Sequence, residues 1–129
     1  MRAIDTNVVV RFLTQDHSSQ FRKARAAIDS GEIFISTTVL LESEWVLRSA
    51  YRFSASRIAE SLRGLAGLPG VMVEEPALLT KALDALSGGM DFADALHLGK
   101  ADGCTVFLSF DRELAKASAR HSSLRVEQP

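Results

Sequence analysis

The sequence predicts an α/β fold, with three layers (α/β/α) built around a central parallel sheet of about five short strands. Two observations lead to this prediction. Short apolar runs rich in β-branched and aromatic residues alternate with longer segments in which apolar residues recur at helical spacing. Glycine and proline mark the boundaries, for example at Gly31, Gly70 and Gly103. Strands that alternate with helices form β-α-β units, whose neighbouring strands run parallel.

The first part of the chain supplies three strands and four helices. The predicted strands are Arg2-Ala3-Ile4, Ile33-Phe34-Ile35 and Val71-Met72-Val73. The predicted helices cover 8–13, 18–30, 38–51 and, beginning at Ser54 or Ser56, the segment up to 67. The first of these segments is apolar throughout and also fits a strand. Asp5 and Thr6 just before it favour a capped helix.

The rest of the chain supplies three helices and two strands. Pro76 suits the first position of a helix, where the missing N–H has no partner to lose. Asp91 and Asp111 stand where two further helices begin. The predicted helices are 76–86, 91–101 and one that follows Asp111, and the predicted strands are 105–108 and 124–126.

Composition narrows the class of protein. The 129 residues are 47% apolar and 24% charged, which suits one compact domain over residues 1–129. The net charge of -1 provides no overall positive field that would attract nucleic acid. Cys104 is the only cysteine, which excludes an internal disulfide and a zinc site built on cysteine pairs. Because no apolar run approaches a membrane span and the first 30 residues lack a signal-peptide pattern, we expect a cytoplasmic location without membrane attachment.

Five acidic residues stand near predicted strand ends or helix starts that the parallel topology would bring toward one edge of the sheet. They are Asp5, Glu42, Asp91, Asp94 and Asp111. Carboxylates gathered in one place repel each other unless a cation lies between them, and oxygen ligands without paired His or Cys suit Mg²⁺ or Mn²⁺. The alternative is that Asp5, Asp91 and Asp111 only cap the helices that they precede.

Glu42 has no capping explanation. It interrupts an apolar stripe that includes Trp45 and Val46, so we expect its carboxylate to be half-buried, where a charge without a partner is costly. Glu44, in contrast, precedes Arg48 by four residues, the favourable order for an ion pair on a solvated helix face. A metal ion or an arginine would satisfy Glu42.

Four segments resemble the motifs of PIN-domain nucleases, in the family's order and spacing and over essentially the whole chain. They are 1–13 (MRAIDTNVVVRFL), 38–42 (TVLLE), 91–97 (DFADALH) and 108–111 (LSFD). Within that family the sequence most resembles the VapC-type toxins of type II toxin–antitoxin systems. The resemblance implies a three-layer fold, ribonuclease activity with Mg²⁺ or Mn²⁺, usually a homodimer, and a cognate antitoxin whose tail occupies the acidic groove.

The resemblance also implies roles for single residues. It implies that the acidic catalytic quartet that holds metal consists of Asp5, Glu42, Asp94 and Asp111. Asp91 would be an additional ligand or only a helix cap. Thr6 and Ser109 would hold carboxylates through their hydroxyl groups, and Asn7 would brace Asp5.

Three arginines are candidates to hold RNA phosphates around an acidic centre, and they are Arg11, Arg48 and Arg112. Two other functions are open. One is a PIN-like module that binds RNA or a protein without cleaving it. The other is a metal-dependent phosphatase of the haloacid-dehalogenase type, although that mechanism needs a second Asp where this chain has Asn7.

Overall fold

The computed structural model describes residues 1–129 and contains seven helices and five strands. Every strand pair is parallel, so the predicted α/β class is confirmed. The chain divides into two compact units, Met1–Pro76 and Ala77–Pro129. None of the helices has both the length and the apolar character that crossing a membrane requires.

The first unit contains three strands and four helices. The strands are β1 (Arg2–Ala3), β2 (Ile33–Ile35) and β3 (Val71–Val73), and the helices are α1 (Thr6–Thr14), α2 (Ser18–Asp29), α3 (Thr37–Ser49) and α4 (Ala55–Ala66). The segment 8–13 is therefore a helix, as the polar residues before it favour. Of the two serines considered for the start of α4, Ser54 is the cap, because its side chain accepts a hydrogen bond from the backbone N–H of Arg57.

The sheet of the first unit has β2 at its centre, in the order β1-β2-β3. Ile33 and Ile35 of β2 are completely buried. Phe34 points to the opposite face, where it is paired in register with Ala3 of β1 and Met72 of β3. This alternation places the core of the first unit on the isoleucine side of the sheet.

Two glycines allow β2 and β3 to approach each other where they begin. Gly31 and Gly70 precede the two strands and both have positive φ, 78° and 77°. A Cβ atom on Gly70 would lie 2.7 Å from the Cα atom of Gly31, closer than real atoms come. Only glycine therefore fits at position 70.

A hydrogen-bonded cluster joins the end of α1 to the segment that follows α3. The carboxylate of Asp16 accepts hydrogen bonds from the Tyr51 hydroxyl at 2.6 Å and the Thr14 hydroxyl at 2.9 Å, and Arg11 lies 3.2 Å away as an ion-pair partner. These two hydroxyl donors, with a smaller contribution from the Arg11 charge, hold the pKa of Asp16 below its usual value of 3.8. The ionised form of Asp16 is therefore the form that stabilises the fold.

The Asp16 cluster leads to a prediction about acid stability. Since the pKa of Asp16 is lower in the folded state than in the unfolded chain, its contribution is present above pH 3.8 and is lost as the pH falls through the folded-state pKa. Asp16→Asn should therefore lower the free energy of unfolding at pH 7, and the difference from wild type should shrink at pH 3. Urea denaturation at both pH values measures it. Asp29→Asn, which removes an exposed ion pair with Arg25, is the matched control and should change little at either pH.

The second unit contains three helices and a two-stranded parallel sheet. The helices are α5 (Pro76–Ser87), α6 (Phe92–Lys100) and α7 (Arg112–His121), and the strands are β4 (Phe107–Leu108) and β5 (Val126–Glu127). Pro76 is the first residue of its helix, as predicted. Leu83 and Phe92 are almost fully buried and belong to the core of this unit.

Both strands of the second unit begin two residues later than predicted, because local hydrogen bonds occupy the backbone before them. The N–H of Cys104 donates to the carbonyl of Ala101, which closes a turn just before the segment predicted as a strand. The backbone of Leu124 is held on both sides by serine hydroxyls, since its N–H donates to Ser122 and its carbonyl accepts from Ser118. Leu124 is therefore not available to the strand ladder, and β4 begins only after the turn at Cys104.

Candidate active site

The start of α6 carries two of the predicted acids. Asp91 is the N-cap, and its Oδ2 accepts a hydrogen bond from the backbone N–H of Asp94 at 3.1 Å. Asp94 is half-buried in the first turn. The capping interpretation of Asp91 is thus confirmed, but the cap uses only one of its two carboxylate oxygens. The other oxygen remains available to a ligand.

The start of α7 is built in the same way. Oδ1 of Asp111 accepts hydrogen bonds from the backbone N–H groups of Glu113 at 2.9 Å and Leu114 at 3.2 Å. Ser109 receives a hydrogen bond from the backbone N–H of Asp111 at 3.0 Å. Ser109 therefore supports Asp111 through the backbone and not through the carboxylate. Oδ2 of Asp111 makes no hydrogen bond.

The charges of the other two acids of the second unit act on Asp94. The pKa of Asp94 is raised above its usual value of 3.8, first by partial burial and then by the negative charges of Asp91 and Asp111. His97, one turn further along α6, opposes this shift. Asp94 and the two acids whose charges act on it, Asp91 and Asp111, are hereafter called the α6–α7 cluster.

Asp5 lies in the first unit, between β1 and α1. It is the N-cap of α1, and its Oδ1 accepts a hydrogen bond from the backbone N–H of Thr6 at 2.7 Å. The Thr6 side chain is 7% exposed and its hydroxyl oxygen has no hydrogen-bond partner. Asn7 is exposed, and its side chain does not hydrogen-bond Asp5. A buried hydroxyl without a partner next to an exposed carboxylate is an unsatisfied polar group that a ligand or water would satisfy.

The expectations about burial on α3 are wrong for both glutamates. Glu42 is exposed, whereas Glu44 is only 1% exposed. The residues that α3 buries are Leu40, Ser43, Glu44 and Leu47, which recur at helical spacing and place Glu42 and Trp45 outside that stripe. The predicted Glu44–Arg48 ion pair is present, at 2.9 Å, but its carboxylate is in the interior and not on a solvated face.

The three arginines considered for phosphate binding differ in their partners. Arg11 is engaged with Gln20, Asp16 and Tyr51. Arg48 holds the buried carboxylate of Glu44 through two nitrogen atoms. Arg112 follows Asp111 directly, is exposed, and makes no side-chain hydrogen bond or ion pair. Of the three, Arg112 is the one whose charge is available to a ligand.

A functional candidate that the sequence did not single out is Phe110, the residue between Ser109 and Asp111. Its side chain is 76% exposed, the highest value among the exposed large apolar residues. The sequence feature that could have indicated it is an aromatic residue in a polar turn, directly before the candidate metal ligand Asp111.

The donor set fits a hard divalent cation in chemical type. The acids of the α6–α7 cluster, together with Asp5 and Glu42, offer carboxylate oxygens, and each capping Asp leaves an oxygen unused. In neither unit do three or more His, Cys, Asp or Glu side chains come close enough together to hold a metal ion. Within the second unit, the negative charges of Asp91 and Asp111 disfavour the ionised form of Asp94, and a bound cation would offset this repulsion.

The fold and these residues define an α/β protein with parallel strands and acidic side chains at the starts of three helices, α1, α6 and α7. The PIN domain family model matches residues 3–119, so the chain belongs to the PIN-domain family. PIN domains are generally nucleases and typically use divalent metal ions, which places the chain among hydrolases that act on nucleic acids. The match extends across both compact units. A search of curated proteins found no match.

Proposed function

We propose that this protein is a divalent-metal-dependent endoribonuclease that hydrolyses phosphodiester bonds in RNA. The observation that supports this most strongly is the α6–α7 cluster, in which Asp94 is half-buried beside two other carboxylates. Folding gains nothing from neighbouring carboxylates whose charges raise the pKa of Asp94. The energetic cost is explained if the cluster serves a cationic ligand, and in a PIN domain that ligand is typically a divalent metal.

The residues that would hold the ion are Asp5, Glu42, Asp94 and Asp111, with Asp91 as an additional ligand. The unused carboxylate oxygens of the capping residues and the unsatisfied Thr6 hydroxyl fit this role. A divalent ion, when bound, supplies activation of water at neutral pH and neutralisation of phosphate charge.

The chain's own residues would complete the site. Asp94 and Asp111 would orient what is bound between α6 and α7. The helix caps fix the carboxylates of Asp91 and Asp111 and the backbone of Asp94. Arg112 would bind a phosphate of the substrate, because its guanidinium is exposed and without a partner. No side-chain nucleophile is required, and hydrolysis by water would leave 5′-phosphate and 3′-hydroxyl ends.

We further propose, from the resemblance to VapC-type toxins, that the protein is the toxin of a toxin–antitoxin pair in the cytoplasm and forms a homodimer. The exposed Trp45 (57%) and Met72 (54%) supply apolar surface for a dimer or an antitoxin.

The proposed activity leads to a direct assay. Purified protein incubated with single-stranded RNA and Mn²⁺ or Mg²⁺ should cleave it, EDTA should stop cleavage, and the products should carry 5′-phosphates. Asp5→Asn should lower the rate by at least about 10²-fold, because a neutral amide replaces a charged ligand.

The alternatives predict different results in the same assay. RNA binding without cleavage would indicate a binding module. Metal-dependent hydrolysis of p-nitrophenyl phosphate with intact RNA would indicate a phosphatase. Cleavage that survives both EDTA and Asp5→Asn would reveal a contaminating nuclease and contradict the proposal.

A further inference from the structure

The turn between β4 and α7 presents an aromatic ring to solvent from a rigid backbone. Phe110 lies between Ser109, which accepts the N–H of Asp111 at 3.0 Å, and Asp111, which caps α7 through two hydrogen bonds. Both neighbours are thus fixed by hydrogen bonds. The ring itself is 76% exposed and takes part in no aromatic pair. Packing of the fold does not explain a large apolar side chain at this position.

Phe110 and the two residues after it offer groups that can bind a nucleotide. Phe110, Asp111 and Arg112 are consecutive, and they offer in turn an exposed aromatic face, a carboxylate of the α6–α7 cluster, and an exposed guanidinium without a partner. These three groups match the parts of a nucleotide. The base can stack on an aromatic ring, a phosphate can bind arginine, and the phosphodiester bond that is cleaved would lie at the acidic site.

The surface around the ring favours a base over a protein partner. In the second unit the only other exposed large apolar residue is Leu108, which is 57% exposed. Two exposed apolar residues are enough for a single base but few for a protein partner. A stable protein interface needs roughly 800 Å² from each partner, contributed by some 20–30 residues.

We propose that Phe110 is a substrate-binding residue on which an unpaired base of single-stranded RNA stacks, next to a phosphate bound by Arg112. This inference rests on the proposed ribonuclease function and adds to it a preference for unpaired nucleotides. Bases of a duplex are stacked on each other and cannot engage the ring, whereas bases in loops and single strands can.

The first test is steady-state cleavage of a single-stranded RNA and of a perfect RNA duplex with Mn²⁺. Phe110→Ala should raise KM for the single strand about 5- to 100-fold, the range for loss of one base-stacking contact, and change kcat much less. Phe110→Trp should restore KM, whereas Phe110→Leu, which is apolar without an aromatic face, should restore it only in part. Glu60→Ala removes an exposed side chain of α4, far along the chain from the turn, and is the control.

The second test measures stacking directly and does not depend on turnover. The chain has one tryptophan, Trp45, so the double variant Trp45→Phe, Phe110→Trp has a single fluorophore in the turn. Single-stranded RNA should quench its fluorescence, and inorganic polyphosphate, which lacks bases, should not. The Trp45-containing wild type serves as reference.

Several results would overturn the inference. They are an unchanged KM for both Phe110→Ala and Phe110→Leu, an equal loss on single-stranded and duplex RNA, and no quenching by RNA. A Phe110→Ala variant that changes only the sedimentation coefficient would assign the ring to protein association. In each of these cases wild-type cleavage would still support the ribonuclease, whereas wild-type protein that cleaves no RNA with any divalent metal would contradict the proposed function itself.

Discussion

Asp94→Asn should lower kcat/KM for RNA cleavage by at least about 10³-fold, which corresponds to roughly 4 kcal/mol of transition-state stabilisation. Asp94 is half-buried at the centre of the α6–α7 cluster, and burial, Asp91 and Asp111 all act on its pKa. The substitution keeps the shape of the side chain and removes its charge. Cleavage of a labelled RNA under single-turnover conditions measures the loss.

The same substitution should have the opposite effect on the metal-free fold. Because the folded-state pKa of Asp94 is raised above 3.8, its penalty is absent below that pH, grows as the pH rises through the folded-state pKa, and is complete above it. In EDTA at pH 7, Asp94→Asn should therefore melt at or above the temperature of wild type. In millimolar Mg²⁺ or Mn²⁺ wild type should gain stability by mass action, and the variant should gain less.

Glu113→Gln provides a control, because Glu113 lies in the first turn of α7 and is exposed but does not act on Asp94. It should leave both the cleavage rate and the metal-dependent melting nearly unchanged. An Asp94→Asn protein that cleaves RNA at the wild-type rate would exclude the α6–α7 cluster from the active site. A wild-type melting temperature that is insensitive to millimolar metal would argue against a metal site.

Local features of the site could be predicted from the sequence because they depend on residues close together in the chain. An Asp at a helix start captures backbone N–H groups two or three residues ahead, and this holds for Asp91 and Asp111. The raised pKa of Asp94 depends partly on Asp91, three residues away, but also on Asp111 in the next helix. The β-α-β alternation that brings α6 and α7 together follows from the periodicity of the sequence.

Features that depend on packing could not be predicted in the same way. Helix α3 has apolar residues on more than one side, so its periodicity does not show which face meets the core. An ion pair with a buried carboxylate has the same four-residue spacing as one on the surface, so the spacing of Glu44 and Arg48 does not show that Glu44 faces the interior. The exposure of Phe110 also depends on what surrounds the turn and not on the residue type.

The buried carboxylate of Glu44 leads to the largest expected change in stability. Its side chain is 2% exposed, and Arg48 approaches it with Nε at 2.9 Å and Nη2 at 3.4 Å. Arg48→Met keeps most of the aliphatic stem but leaves the carboxylate in the interior without this cation. Since breaking a buried ion pair from one side is strongly unfavourable, the free energy of unfolding should fall by about 2–4 kcal/mol, measured by urea denaturation.

The double variant Glu44→Leu, Arg48→Met distinguishes two contributions to the loss of stability: the buried carboxylate left without a cation, and the lost packing of the Arg48 side chain. With both charges gone, an apolar side chain occupies the buried position 44 and the methionine at position 48 retains most of the aliphatic stem of the half-exposed Arg48, so most of the lost stability should return. Arg25→Met, which breaks the exposed pair with Asp29, is the matched single variant and should cost only about 0.3–0.5 kcal/mol. A double variant that is as unstable as Arg48→Met alone would mean that the stem of Arg48, and not its charge, holds α3 in place.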